Sequence, residues 1–183
     1  MKTLIFNGSP RQNGDTVSLL NKFLENLSGE FYIVNAYNCN IKPCIDCRYC
    51  WRNNGCCVND EMQKVYKYIN ECENILIASP IYVSELTGPL LSVGSRLQTY
   101  FSARYFRKEN PIEKAKKGAV ILVGGGDGNA DTPYQTACSL LRKMNSFDIL
   151  HLVISHNTDL IPAIEDQCAL SAVKKIADSF NRK

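Results

Sequence analysis

The chain has 183 residues, of which 45% are hydrophobic and 21% charged, with a formal net charge of +3. That length fits one domain with a substantial core, and the composition excludes a disordered chain. The small positive charge leaves no footprint for nucleic acid, and no apolar run reaches the roughly 18 residues of a membrane span.

Met1-Lys2 leads straight into the first apolar run, residues 3–7, with no signal peptide pattern ahead of it. A cytoplasmic location is the expectation. The first amphipathic run, residues 16–27, follows after Asn7-Gly8-Ser9-Pro10-Arg11-Gln12-Asn13-Gly14-Asp15-Thr16. The pattern reads as strand, polar loop, helix. Such a loop gathers unpaired backbone N–H groups and the positive end of a helix around one anion. Ser9 and Thr16 add hydroxyl donors, and Arg11 adds a charged fork that suits phosphate oxygens. The Lys-Ser/Thr pair of a Walker A loop is missing, because Asp15 stands before Thr16. The spacing of a dinucleotide-binding GxGxxG loop is missing too. Ser9, Arg11, Asn13, Asp15 and Thr16 therefore form a candidate grip for a terminal monophosphate such as that of FMN. A carboxylate would repel a phosphate, so Asp15 is expected to cap its own helix through backbone N–H groups. The competing reading is an ordinary N-capped helix after a polar turn.

A second strand is expected at residues 31–35, and the cysteine-rich stretch, about 39–60, comes next. Nine cysteines is an odd count, and an α/β pattern does not suit a secreted disulfide scaffold. Cys39, Cys72, Cys138 and Cys168 are scattered and read as free thiols. Cys44, Cys47, Cys50 and Cys56 have the spacing Cys-x2-Cys-x2-Cys-x5-Cys, with Cys57 able to replace Cys56 as the fourth. Three cysteines at intervals of three let one loop curl around a cubane, and Gly55 permits a tight return. Structural zinc and a loop of free thiols stay open beside a [4Fe–4S] centre.

Residues 61–72 read as a helix and residues 74–78 as the third strand. Ser79-Pro80-Ile81-Tyr82-Val83-Ser84 follows it. Pro80 keeps this chain extended, so its amides and carbonyls can meet the polar edge of a flat ring while Tyr82 offers an aromatic face. An ordinary connecting loop with Tyr82 in the core is the alternative. After a helix at residues 89–101 and a charged connection at residues 104–117, the fourth strand, residues 119–123, runs into Gly124-Gly125-Gly126. Glycines let a backbone approach a ligand closely, which makes Gly125 and Gly126 candidate contacts; a plain flexible turn is the alternative. A helix at 132–144, a strand at 149–154 and a helix at 166–181 complete the chain. His151 and His156 read as core or loop residues.

Strands alternating with helices imply a parallel sheet covered on both faces, in one domain spanning residues 1–183. Right-handed crossovers favour five strands in the order 2-1-3-4-5, a flavodoxin-like three-layer α/β sandwich. The candidate loops then share the C-terminal edge of the sheet, where ligands bind in such folds.

With Gly8-Ser9-Pro10-Arg11, Asn13-Gly14-Asp15-Thr16, Ser79-Pro80-Ile81-Tyr82 and the cysteine segment ending in Asp60-Glu61-Met62 in view, the chain resembles the NAD(P)H-dependent FMN reductase and iron–sulfur flavoprotein family. The family usually shows Asn-Thr where this chain has Asp15-Thr16, a departure that bears on the phosphate contact, whereas the change at Asp60-Glu61 is mild. The resemblance implies non-covalent FMN, held by the first loop at its phosphate and by the second, residues 80–84, at its ring. It implies NADPH or NADH as electron donor, a small-molecule or protein acceptor, a [4Fe–4S] centre on the cysteines, and a homodimer or higher homo-oligomer. The flavin carries hydride chemistry, so no side chain is assigned as catalytic acid or base. An electron carrier without its own substrate is a rival, against which the net charge of +3 weighs. A redox-responsive regulatory module built on residues 44–57 is a third reading.

Overall fold

The computed structural model describes residues 1–182, in the order β1 (Lys2–Asn7), α1 (Asp15–Asn26), β2 (Glu30–Asn35), α2 (Tyr49–Arg52), α3 (Met62–Glu71), β3 (Asn74–Pro80), α4 (Gly88–Ser95), α5 (Gln98–Ser102), β4 (Lys117–Val123), α6 (Asp131–Lys143), β5 (Asp148–Ser155) and α7 (Gln167–Phe180). The strands form one parallel sheet in the order β2-β1-β3-β4-β5. This is the flavodoxin-like arrangement expected from the alternation of strands and helices.

Both faces of the sheet are buried, and the period of two along each strand decides which face a residue serves. Leu4, Phe6, Ile75, Ile77, Val120 and Leu122 pack toward α3, α4 and α6. Ile5, Leu76, Ala78, Ala119, Ile121 and Val123 pack toward α1 and α7. The helices supply matching stripes: Leu19, Leu20 and Phe23 of α1, and Val173, Ile176, Ala177 and Phe180 of α7. Phe23 meets Phe180 edge to face at 5.8 Å. Each buried aliphatic or aromatic side chain contributes about 1.5–3 kcal/mol, so the central strands form the most firmly held part of the molecule.

Two stretches differ from their sequence patterns. The helix expected over residues 89–101 is interrupted after α4, where the amides of Arg96 and Leu97 bond three residues back, to the carbonyls of Val93 and Gly94 at 3.1 and 3.0 Å. This tighter turn swings Arg96 inward, and it is buried to 2% exposure. The connection expected to be loop-like after residue 104 begins instead as a π-helical turn, Ala103–Arg107, continuing α5. Among the described residues, no helix is long and apolar enough to cross a membrane.

Candidate active site

The first loop is fixed at its base. The Gly8 amide donates to the Ala78 carbonyl at 2.8 Å, and the Gly8 carbonyl accepts the Thr87 hydroxyl at 2.9 Å. Asn7 accepts the Ser9 amide and donates to Asn35, and the Ser9 hydroxyl accepts the Arg11 amide at 3.2 Å. The amides of Asp15, Thr16 and Val17, by contrast, find no acceptor among the described residues. They belong to the first turn of α1, which the loop enters at Gly14. A Cβ at Gly14 would stand 2.9 Å from the Arg11 Cβ, so a glycine here lets Arg11 fold back over the loop. No side chain caps α1. This corrects the expectation for Asp15. Its carboxylate accepts the Ala163 amide at 2.8 Å, from the turn ahead of α7. The partner lies in the same layer of the fold, in the turn that packs beside α1, rather than in α1 itself.

The second loop continues β3. The Ile81 amide donates to the Val123 carbonyl at 2.8 Å, and Tyr82 and Glu85 exchange backbone hydrogen bonds at 2.9 and 3.0 Å around Val83 and Ser84. Val83 and Ser84 both have left-handed backbones, φ 52° and 57°, as a two-residue hairpin turn requires. For a β-branched valine that conformation is costly. Tyr82 is 43% exposed, which removes the core reading for it.

The third loop is zipped to the end of β5. The carbonyls of Gly124, Gly125 and Gly126 accept the amides of Thr158, Asp159 and Asn157 at 3.1, 3.2 and 3.0 Å. The amides of Gly125 and Gly126 keep no acceptor among the described residues. A Cβ on Gly125 would meet the Asp159 carboxylate at 2.5 Å.

These loops enclose a cavity of about 300 Å³, a size at the lower end for cofactor clefts. Ser9, Arg11, Asp15, Thr16, Pro80, Ile81, Tyr82 and Gly125 line it. Asn13, Val83, Ser84 and Gly126 lie outside its lining, and Asn13 and Val83 are exposed. Thr158 and Asp159 are lining residues that sequence reasoning missed; the signal was a polar loop after the last strand, on the same sheet edge as the others. Neither histidine lines the cavity. His151 pairs with Ser179 at 3.3 Å, and the buried Nδ1 of His156 has no partner.

The donor set fits a phosphate-bearing planar cofactor: free amides, one guanidinium and a buried threonine at one end, and main chain and an aromatic ring at the other. Asp15 and Asp159 are the anionic members of the lining.

The cysteine segment hangs on Arg96. Its guanidinium donates to Asp60 at 2.6 Å, to the Lys42 carbonyl at 2.9 Å, and more loosely to Cys56 Sγ and the Val58 carbonyl. Burial would raise the Asp60 carboxyl, but Arg96 and the amides of Lys42 and Met62 outweigh it and hold Asp60 below the ordinary carboxylate range. Cys44, Cys47, Cys50 and Cys56 line one narrow cleft with Arg96, of only about 20 Å³. Cys50 donates to Ser102, Cys56 faces Arg96, and Cys47 lies 3.4 Å from Cys57. The amide of Tyr49, and then the Cys57 thiol, lower the Cys47 thiol, while the same contact raises that of Cys57. Among the described residues no three Cys, His, Asp or Glu side chains form a group that could hold a metal.

A family model described as NADPH-dependent FMN reductase matches residues 1–159. An iron–sulfur flavoprotein of Archaeoglobus fulgidus is 26% identical over 190 residues, taking in 100% of this chain and 82% of that protein. Among solved structures, an NAD(P)H:quinone oxidoreductase from Methanothermobacter marburgensis superposes with a TM-score of 0.69 at 16% identity, over 99% of this chain and 94% of that one. A FMN-dependent NADH-azoreductase from Bacillus anthracis, solved in complex with FMN, gives 0.65 at 16% identity over 99% of both chains. At these identities the structural likeness speaks for the fold alone.

Proposed function

Because the chain belongs to the NADPH-dependent FMN reductase family, an FMN-dependent NAD(P)H oxidoreductase family, we propose that the 300 Å³ cavity is its FMN cleft and that a second, small-molecule or protein acceptor is reduced there. One observation carries this reading: Asp15 and Thr16, whose amides have no acceptor, line the cavity beside Arg11 at the head of α1. A phosphate dianion is the ligand that such donors suit.

In this reading Arg11, the Thr16 hydroxyl and those amides hold the phosphate. Asn13, on the surface side of the loop, guards its entrance. Pro80, Ile81 and Tyr82 flank the ring on one side, and the amides of Gly125 and Gly126 serve its polar edge. The Val83-Ser84 turn stands over the outer rim, and Thr158 and Asp159 close the far wall. FMN, when bound, supplies the capacity to accept a hydride from a nicotinamide and to pass electrons on. The protein's part is to orient the two rings and limit water, and no side-chain proton donor is needed. Tyr82, Val83, Leu160 and Ile161 are exposed, and the cavity's lining includes Tyr82 and, just ahead of Leu160, Asp159; this suits a homo-oligomer with the cleft at a subunit boundary, and in this reading the chain acts in the cytoplasm.

The test is anaerobic mixing of the FMN-loaded chain with NADH or NADPH, followed by turnover with quinone and azo acceptors. Bleaching of the flavin by either nicotinamide supports the reading. No reduction by either would overturn it in favour of an electron carrier served by partner proteins.

A second reading, the [4Fe–4S] centre on Cys44, Cys47, Cys50 and Cys56, is favoured by their common cleft beside the cationic Arg96. It requires that cleft to open and the Cys47–Cys57 contact to part. Iron and sulfide assays on anaerobically purified protein decide it; flavin bands alone would reject it.

A further inference from the structure

Of the five cysteines between residues 44 and 57, Cys57 alone lies outside the regular spacing, yet its sulfur stands 3.4 Å from that of Cys47. Both residues are exposed. Two thiolates on a tetrahedral ion with bonds of about 2.3 Å stand about 3.8 Å apart, so this approach is closer than a shared metal imposes. It is longer than the roughly 2.05 Å bond of a disulfide, so the sulfurs must draw together for one to form.

The backbone on both sides holds the two sulfurs together. Asp46 and Arg48, which bracket Cys47, both have left-handed backbones at φ 49° and 60°, uncommon for residues other than glycine. Arg48 also lies over the Trp51 ring at 4.8 Å. On the other side, Gln63 donates to the carbonyls of Cys56 and Val58 at 3.0 and 2.7 Å, fixing the residues that flank Cys57. The pair is therefore held by anchored chain on either side.

We propose that Cys47 and Cys57 are a dithiol that a hydroperoxide closes to an intramolecular disulfide. One thiolate attacks the hydroperoxide, the O–O bond breaks, an alcohol (water, from hydrogen peroxide) departs, and that sulfur becomes a sulfenic acid. The second thiol attacks this sulfur, the S–S bond forms and a water leaves. The two thiols lose two electrons in all, and the hydroperoxide takes them. Either sulfur can open the sequence, since the product is the same. Once Cys47 is in the disulfide it cannot act as a metal ligand, so oxidation and metal capture exclude one another on this loop.

The experiment treats the FMN-bound chain with one equivalent of hydrogen peroxide, alkylates the remaining thiols and maps the tryptic peptides. Trypsin cuts after Arg48 and Arg52 and so separates Cys47 from Cys57. The expected product is a linked pair of peptides, one ending at Arg48 and the other beginning at Asn53. It persists in Cys44→Ser and Cys56→Ser, is lost in Cys47→Ser and Cys57→Ser, and opens with a thiol reductant. Circular dichroism checks that Cys57→Ser, a change at an exposed position, keeps the fold. A link that survives in Cys57→Ser, a link between two chains, or no thiol loss would overturn the proposal.

Discussion

The carboxylate of Asp15, the first residue of α1, accepts the backbone amide of Ala163 at 2.8 Å, across 148 positions of sequence. The bond ties the head of α1 to the turn ahead of α7 and engages one oxygen of a group that otherwise lines the cavity. It explains how an anionic side chain is tolerated beside the loop proposed to hold a phosphate.

The bond gives a prediction. Asp15→Asn keeps an oxygen to accept the Ala163 amide and removes a negative charge. Two like charges a few ångströms apart near a surface cost about 1–4 kcal/mol, and much of that is screened here. FMN should bind the variant several-fold more tightly than the parent chain, by fluorescence titration at low salt. Weaker binding with the fold intact would mean that the carboxylate itself contacts the cofactor favourably.

Arg96 and Asp60 form an ion pair with side chains 1% and 3% exposed. Arg96→Ala leaves Asp60 buried and unpaired, which costs about 3–5 kcal/mol, and urea unfolding should read that loss. The pH dependence follows from the depressed Asp60 carboxyl. Its stabilising contribution is complete above the unfolded value of about 3.9 and is lost as the pH falls through the lower folded value. The gap in unfolding midpoint between parent and variant should therefore shrink below about pH 4. A gap that stays constant down to pH 2 would show that Asp60 is not the partner that matters.

The cysteines should separate by reactivity. Cys44, Cys47, Cys57 and Cys168 are exposed, whereas Cys72 and Cys138 are buried. Burial also pushes the Cys72 thiol up to about 11, leaving almost no thiolate near neutrality. Under native conditions at pH 7.5, a chromogenic disulfide should modify the four exposed thiols first. Cys72 and Cys138 should react only on unfolding. Early labelling of Cys72 would contradict the packing of α3 against the sheet.

Much of this was legible in the chain because it is local. The apolar runs mark strands, their period of two sorts residues to the two faces, and a polar loop ahead of an amphipathic run marks the head of α1. What was not legible depends on distant partners. No pattern near Asp15 points to Ala163, and no periodicity shows that Arg96 turns inward to serve the cysteine segment, since it occupies an ordinary position in a helical run. Thr158 and Asp159 enter the cavity only because the Gly124–Gly126 carbonyls accept the amides of residues 157–159. That pairing joins two loops which, read singly, look like plain strand ends.

The phosphate grip is tested most directly by titrating FMN and riboflavin, which differ by the phosphate alone, into the parent chain and Arg11→Ala. A hydrogen bond to a charged group is worth about 1.5–3 kcal/mol. The parent chain should therefore prefer FMN by at least about tenfold, and Arg11→Ala should lose most of that preference while binding riboflavin as before. Equal affinity for the two flavins in the parent chain would contradict a phosphate site at the head of α1.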